Sequence, residues 1–483
     1  MNQIEKVKTL AKQGDANAQL ELGRMYFHGN VLPQDYGRAI EWFRKAAEQG
    51  IAKAQHNLGY MYAEGLGIPQ DYKEAVKWYY LAAEQGLVQS QHNLGCVYEG
   101  GLGVPQDYKE AIKWYQVAAE QGFVESQFEL GLIYLDGKIQ QDYEKAVMWL
   151  TKSAEQGLPY AQNLLGSLYQ EGMKVPQDYA EAAKWYRMSA VQDDAAGQYC
   201  LGCMYANGWG FPQDYKEAIK WFNKAAAQGN TEAQHFLGAI YQQGKGVSRD
   251  YRKAIEWYQK SAGQGLANAQ DCLGIMYLHG LGVPQNYEEA IKWFRKAADQ
   301  GYVNAQNSLG AMYAKGFGVS QDYEEALKWH CMAAEQDDAQ AQYNIGLLYA
   351  KGSGIQQDYQ EAIAWWSKSA RHDLPQAQFC LGQSYQKGLG VSQNYVKAIN
   401  WFIKAAEQGY AEAQFKLGVM YSEGQGVPQN DVLTLMWIYL SAESESSKVK
   451  AFTEAFKFAL ELRMSPAQVA EAKKLAREWK PKK

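Results

Sequence analysis

The chain has 483 residues, 48 basic against 53 acidic side chains and a formal net charge of −5. That near balance, with no block of like charges, argues against a nucleic-acid binder, which needs a basic stripe. No apolar run approaches the roughly 18 residues needed to span a bilayer, which argues against membrane insertion. The six cysteines follow no pairing pattern. The segment from Met1 to Asp15 lacks the apolar core of a secretory signal, and both features point to a cytoplasmic protein with reduced thiols.

In chain order, residues 2–13 read as a lone helix within an N-terminal cap of residues 1–15. From 16 to 445 one pattern recurs twelve times: Ala-Gln-x-x-Leu-Gly-x-x-Tyr, a glycine loop, Gln-Asp-Tyr-x-x-Ala-x-x-Trp, and Ala-Ala-Glu-Gln-Gly. The glycine of the Leu-Gly pair falls every 36 residues from Gly23 to Gly418, apart from one 35-residue step between Gly131 and Gly166. A fixed period of this size means stacked supersecondary units rather than a globular enzyme core. The expected fold is therefore all-α, with about twelve helix–loop–helix repeats and capping helices.

Residues 52–86 show one repeat. Ala54, Leu58 and Tyr62 lie four residues apart, on one stripe of a helix. Gly59 costs about 1 kcal/mol relative to alanine there, so its recurrence implies close packing of a second helix. Gly65 and Gly67 make the loop. Asp71 is placed as N-cap of the second helix, with Glu74 three residues on as in a capping box. The pair recurs at Asp107/Glu110, Asp214/Glu217 and Asp322/Glu325. Tyr72, Ala75, Tyr79 and Ala82 form the expected buried stripe, with Trp78 beside it. The Tyr62 and Trp78 positions are invariant in all twelve repeats, which reads as packing rather than ligand stacking.

The irregularities come next. Repeat four is one residue short around Gly137 to Gln141. Asp193, Asp337 and Asp373 replace the closing glycine of their repeats. Repeat twelve loses the Asp-Tyr pair at Asn430-Asp431. After it, helices are expected over 447–463 and 466–478, within a C-terminal region of 446–483. The second has Ser465 as N-cap, Pro466 at N1 and Gln468 at N3. Ala470, Ala472, Leu475 and Trp479 are expected to cover the last open face, and Lys480 to Lys483 to be a tail.

The Ala-Gln-x-x-Leu-Gly-x-x-Tyr and Asp-Tyr-x-x-Ala-x-x-Trp runs resemble the Sel-1-like repeat family, a relative of the tetratricopeptide repeat with a longer loop. The resemblance implies a right-handed α-solenoid whose first helices line the concave side. It also implies an adaptor role, as in protein quality control, bacterial signalling or host–microbe contact.

On that geometry the position three before the glycine faces the groove. It carries His56, His92, Phe128, Tyr199, His235, Tyr343, Phe379 and Phe415, with Leu20, Asn163, Asp271 and Asn307 in the other repeats. Aromatics are common among binding hot spots. The position five after the glycine adds Lys315, Lys351 and Lys387 in consecutive repeats, a row suited to an acidic segment. The competing reading is that the rings fill space between neighbours and the lysines are solvated.

No nucleophile elbow, His-Glu-x-x-His or phosphate loop occurs. Cys200-x-x-Cys203 lies mid-helix, where no thiolate is stabilised. The expected protein is a monomeric, non-enzymatic scaffold without cofactor or metal that binds a peptide or protein in its groove. The alternative is a small-molecule, glycan or cell-wall-fragment binder. A cysteine-rich branch of the family is associated with β-lactam binding, and this chain lacks that branch's paired cysteines.

Overall fold

The structure, a computed structural model, describes residues 3–139, 141–172, 175–442 and 447–481, and the side chains of all of these but 447–452. Among them are 27 α-helices and no strand. Most are 13 residues long, as in Ala52–Glu64 and Tyr72–Glu84 of repeat two. Such a helix is about 20 Å in length.

The chain divides into two compact bodies. One comprises residues 1–237 with 245–247, the other 238–244 with 248–483. The dividing line runs through the first helix of repeat seven, Thr231–Gln243. Within each body a helix packs chiefly on the helices just before and after it in sequence.

The two helices of each repeat approach closely at the Leu-Gly glycine. A Cβ on Gly59 would lie 2.8 Å from the Tyr79 ring and 3.1 Å from the Ala75 carbonyl oxygen. Gly274 meets Phe294 at 2.6 Å in the same way. The two helices of a repeat therefore cross where no side chain intervenes, and the ring above is fully buried, as are Tyr115, Phe222 and Phe402. Ala75, Tyr79 and Ala82 are buried as expected, whereas Tyr72 is half-buried.

The caps differ from expectation in one respect. Asp71 accepts from the backbone N–H of Lys73 and Glu74, but the return half of a capping box is not made. The Asp71 N–H is already taken by the carbonyl of Tyr62 at 2.9 Å. Asp107, Asp214 and Asp322 are likewise held by Tyr98, Tyr205 and Tyr313. The glutamates turn forward and pair with the lysine three residues on, at 2.8 Å for Glu110–Lys113 and 3.2 Å for Glu325–Lys328.

A second polar join is built from the glutamines of the consensus. Gln55 is buried and donates to the carbonyl of Ala47. Gln85, which closes the next helix, donates to Gln55 Oε1 at 2.7 Å. The same pair recurs at Gln121–Gln91, Gln192–Gln162, Gln336–Gln306 and Gln408–Gln378. In these repeats the closing turn is thus tied to a buried amide of the preceding first helix; repeat ten carries His372 at the closing position and leaves Gln342 Oε1 without a partner among the described residues.

Asp193, Asp337 and Asp373 adopt the left-handed conformation of the glycines they replace, with φ of 67°, 66° and 56°. This backbone is unfavourable for a residue with a Cβ. Each carboxylate offsets the strain by accepting from the consensus glutamine: Asp193 from Gln198 at 2.8 Å, Asp337 from Gln342 at 3.1 Å and Asp373 from Gln378 at 3.3 Å.

At the N-terminus, helix Gln3–Lys12 buries Ala11 against Leu22. At the other end helices Ser447–Arg463 and Pro466–Glu478 form at the expected limits. Ser465 and Gln468 complete a reciprocal capping box. Ala472 is buried, and Leu475 and Trp479 pack on the core containing Trp437. Ala470 is exposed instead of joining this cover; Val469 takes part, one position earlier on the helix. Gln140 in the shortened loop, residues 443–446 in the altered turn, and Lys482 and Lys483 of the tail lie outside the described residues.

Candidate functional site on the first helices

A helix turns about 100° per residue, and in each repeat the Leu-Gly glycine faces the second helix. The position three before it lies only about 60° away, close to the packed side, whereas the position five after it lies about 140° away, towards solvent. The side chains follow this arithmetic.

The expected aromatic and imidazole track is half-buried between consecutive repeats. His56 Nδ1 is 2.9 Å from Ser90 Oγ, and His92 Nδ1 is 3.0 Å from Ser126 Oγ, each partner lying in the next repeat. Burial pushes the pKa of His56, His92 and His235 below the usual histidine range. His235 lies edge-on to Phe236. Tyr199 sits against Phe222 and Phe236, and Phe379 against Phe402 and Tyr410. Phe128 and Tyr343 pack on the cores of their own regions, and Phe415 touches Phe456. These residues are not brought into one cluster; each fills its own inter-repeat junction.

Lys315, Lys351 and Lys387 are exposed, each the last residue of its helix. A cation there opposes the negative end of the helix dipole. Lys315 and Lys351 share one cavity of about 460 Å3, floored by His330 and rimmed by Asn307, Ser308, Gln340 and Asn344. Lys387 is not part of its lining. A smaller cavity of about 260 Å3 adjoins it through Ser308, Ala311 and Lys315, and is lined by Leu278, Met312 and Phe317. In the N-terminal body another cavity of about 460 Å3 holds His28, His56, Asn57 and Tyr60 beside Arg24 and Lys53.

Positional reasoning from the glycine alone missed Asn57, Tyr60, Ser308, Ala311, Asn344 and Leu347. They stand two before or one after the glycine, about 160° and 100° from it. The signal was available in the repeat register.

The thiols show no activation. Burial pushes Cys200 up to about 11 and Cys203 up to about 12, and a thiolate is the reactive form. All six cysteines are unpaired. Among the described residues no group of histidine, cysteine and carboxylate side chains is arranged to hold a metal. No helix among them is long and apolar enough to cross a membrane.

The Sel1 repeat family matches twelve consecutive segments, from residues 16–51 to residues 411–446. The chain belongs to the Sel1 repeat family. The structure of c5321, a protective antigen present in uropathogenic Escherichia coli strains, superposes with a TM-score of 0.73 at 36 % identity, covering 99 % of this chain and 94 % of that one. A Sel1 repeat protein from Oxalobacter formigenes gives 0.53 at 35 % identity over 64 % of this chain and 89 % of that one. The secretory immunoglobulin A-binding protein EsiB of Escherichia coli O6:H1 is 49 % identical over 43 residues, which span 9 % of each chain. Sel1 repeats share a tetratricopeptide-like fold typical of protein-interaction scaffolds, and proteins built from them are generally non-enzymatic.

Proposed function

We propose that this Sel1 repeat protein is a non-enzymatic scaffold that holds an extended peptide or protein segment along its first helices. The observation that carries this reading is the placing of the cavities. Three of them open on the first helices, between repeats one to three and eight to ten, and their rims carry His28, His56, Lys315 and Lys351, while another of about 470 Å3 lies on the second helix Tyr179–Val191 beside Phe211. The second helices, by contrast, spend their charges on lysine–glutamate pairs within the helix. In this reading Lys315, Lys351 and Lys387 supply charge to the partner. The exposed edges of His56, His92, Phe128, Tyr199, His235, Tyr343, Phe379 and Phe415 supply contact area. The chain acts as a monomer in the cytoplasm, where unpaired thiols persist.

The test is affinity capture from the native host, comparing wild type with two variants of verified helicity. One is the charge reversal Lys315→Glu/Lys351→Glu/Lys387→Glu; the other is Tyr199→Ala/Tyr343→Ala/Phe379→Ala. A protein retained by wild type and lost by both is the expected result. Equal recovery by all three places binding on the second helices, loops or ends and defeats the reading. Light scattering should return the 54.4 kDa of one chain.

A further inference from the structure

Repeat nine departs from the others at the ring above its glycine. Eleven repeats place Phe, Tyr, Leu, Trp or Ile there; repeat nine places His330. A Cβ on Gly310 would meet this imidazole at 2.7 Å, so the ring takes the usual seat. It is 2 % exposed, and its Nδ1 has no hydrogen-bond partner among the described residues. Burial pushes its pKa down to about 4, so at neutral pH it is an uncharged ring with one N–H and one lone pair. An unsatisfied buried polar atom costs about 1–3 kcal/mol. Phenylalanine, native at this position in repeats one, six, eight and eleven, avoids that cost.

The surroundings explain why the imidazole borders a cavity. In repeat three the Tyr115 hydroxyl reaches out to Glu99 at 2.9 Å and to Cys96 at 3.3 Å. In repeat seven Tyr258 reaches Gln242 at 2.7 Å. Repeat nine has Ala314 where those acceptors stand and Ala311 in place of Cys96. A shorter ring and two methyl groups leave the space open. Side chains around it are ordered as donors: Gln340 Nε2 donates to Asn344 Oδ1 at 3.2 Å, and Asn344 Nδ2 to Asn307 Oδ1 at 3.0 Å. The relay ends on the Asn307 amide, whose hydrogens no protein group takes among the described residues. Among those residues, neither Lys315 nor Lys351 is in an ion pair. No carboxylate lines the cavity.

From this geometry we infer that the cavity between helices Val303–Lys315 and Ala339–Lys351 is a carboxylate-recognition site that takes an acidic side chain of the bound segment, with Lys315 and Lys351 supplying charge and His330 and Asn307 the hydrogen bonds. It rests on the scaffold reading of the same surface and adds the chemistry of what is read there. A carboxylate is acceptor-only when ionised, and it matches a site made of two ammonium groups, an amide donor and an imidazole.

The test is fluorescence anisotropy on the full chain with a labelled peptide of alternating glutamate and glycine. The same peptide with glutamine for glutamate is the comparison, and N-acetylglutamate serves as free competitor. Wild type is expected to bind the glutamate peptide roughly tenfold more tightly than the glutamine peptide, and Lys315→Ala/Lys351→Ala to lose that preference. His330→Phe is expected to weaken the glutamate peptide several-fold with no loss of melting temperature. Equal affinity for the two peptides, or unchanged affinity in either variant, overturns the site. So does N-acetylglutamate competing as well as the peptide, which assigns the cavity to a free small carboxylate. If the host-capture variants retain their partner while anisotropy behaves as expected, the scaffold reading fails and the carboxylate site stands. The opposite pair of results removes only the site.

Discussion

Repeats three and nine have closely similar helix lengths, the same N-cap and the same glycine under a ring, yet one is sealed and the other is open. In repeat three Tyr115 fills the crossing and anchors its hydroxyl on Glu99. In repeat nine His330 fills the crossing only in part and is left with an unsatisfied nitrogen. The backbone geometry is fixed by the glycine and the Asp-Tyr cap; what the crossing can bind is set by one ring and the residues one and four after the glycine. Stability and recognition are therefore written at different positions of one repeat.

The largest effect that would sharpen the contrast is acid sensitivity. The His330 pKa is about 4 folded against about 6.5 unfolded. Its penalty is absent above pH 6.5, grows as pH falls, and is complete below pH 4. His330→Phe should remove it, so the gap between variant and wild-type urea midpoints should widen on acidification by an amount on the order of 3 kcal/mol. A constant gap between pH 7 and 4 would show that the imidazole is hydrated.

Asp271 in repeat eight carries the opposite sign. It is 5 % exposed, its Oδ1 lacks a partner among the described residues, and burial raises its pKa to about 6. The unfolded chain releases this proton first as pH rises, so the penalty is absent below about pH 4 and complete above about pH 6. Asp271→Asn should stabilise at pH 7 by roughly 2–3 kcal/mol and change nothing near pH 3.5. Matching gains at both pH values would break the assignment.

A smaller difference is expected for Gly95→Ala against Gly310→Ala. The new methyl would stand 2.4 Å from the Tyr115 ring in one and 2.7 Å from His330 in the other. Overpacking typically costs 1–3 kcal/mol, set against a helix-propensity gain near 1 kcal/mol. The imidazole has a cavity to move into, so Gly310→Ala should lose less, by about 1 kcal/mol. Equal losses in denaturation would mean the two crossings are equally rigid. An effect of comparable size is expected at a turn shared by all repeats: Asp193→Ala should cost about 1 kcal/mol, losing the Gln198 bond while keeping the strain, and Asp193→Gly should be near neutral.

Much of this was legible in sequence. The period, the glycine crossing, the aspartate caps and both C-terminal helices follow from local rules, because each repeat meets the same neighbours. The capping boxes were half wrong because the Asp71 N–H was assigned to Glu74, whereas the Tyr62 carbonyl of the preceding helix already holds it. The aromatic track was placed by the family's concave face rather than by angle from the glycine, which puts it beside the packed side. The cavities depend on what is missing, Ala311 and Ala314 instead of longer side chains, and a search for prominent residues passes over small ones.

The glutamine join also has a genetic consequence. Its partners stand 30 residues apart in almost every repeat, and 29 apart for Gln156–Gln127, where the loop is one residue short. The bond ignores loop length and needs only a glutamine in the preceding first helix. Both partners lie within one repeat, so recombination that duplicates or removes one whole period leaves the amide pairs of the other repeats intact. Alleles of this gene differing by multiples of 36 residues should therefore encode folded chains, whereas an insertion within a helix breaks the join on both sides.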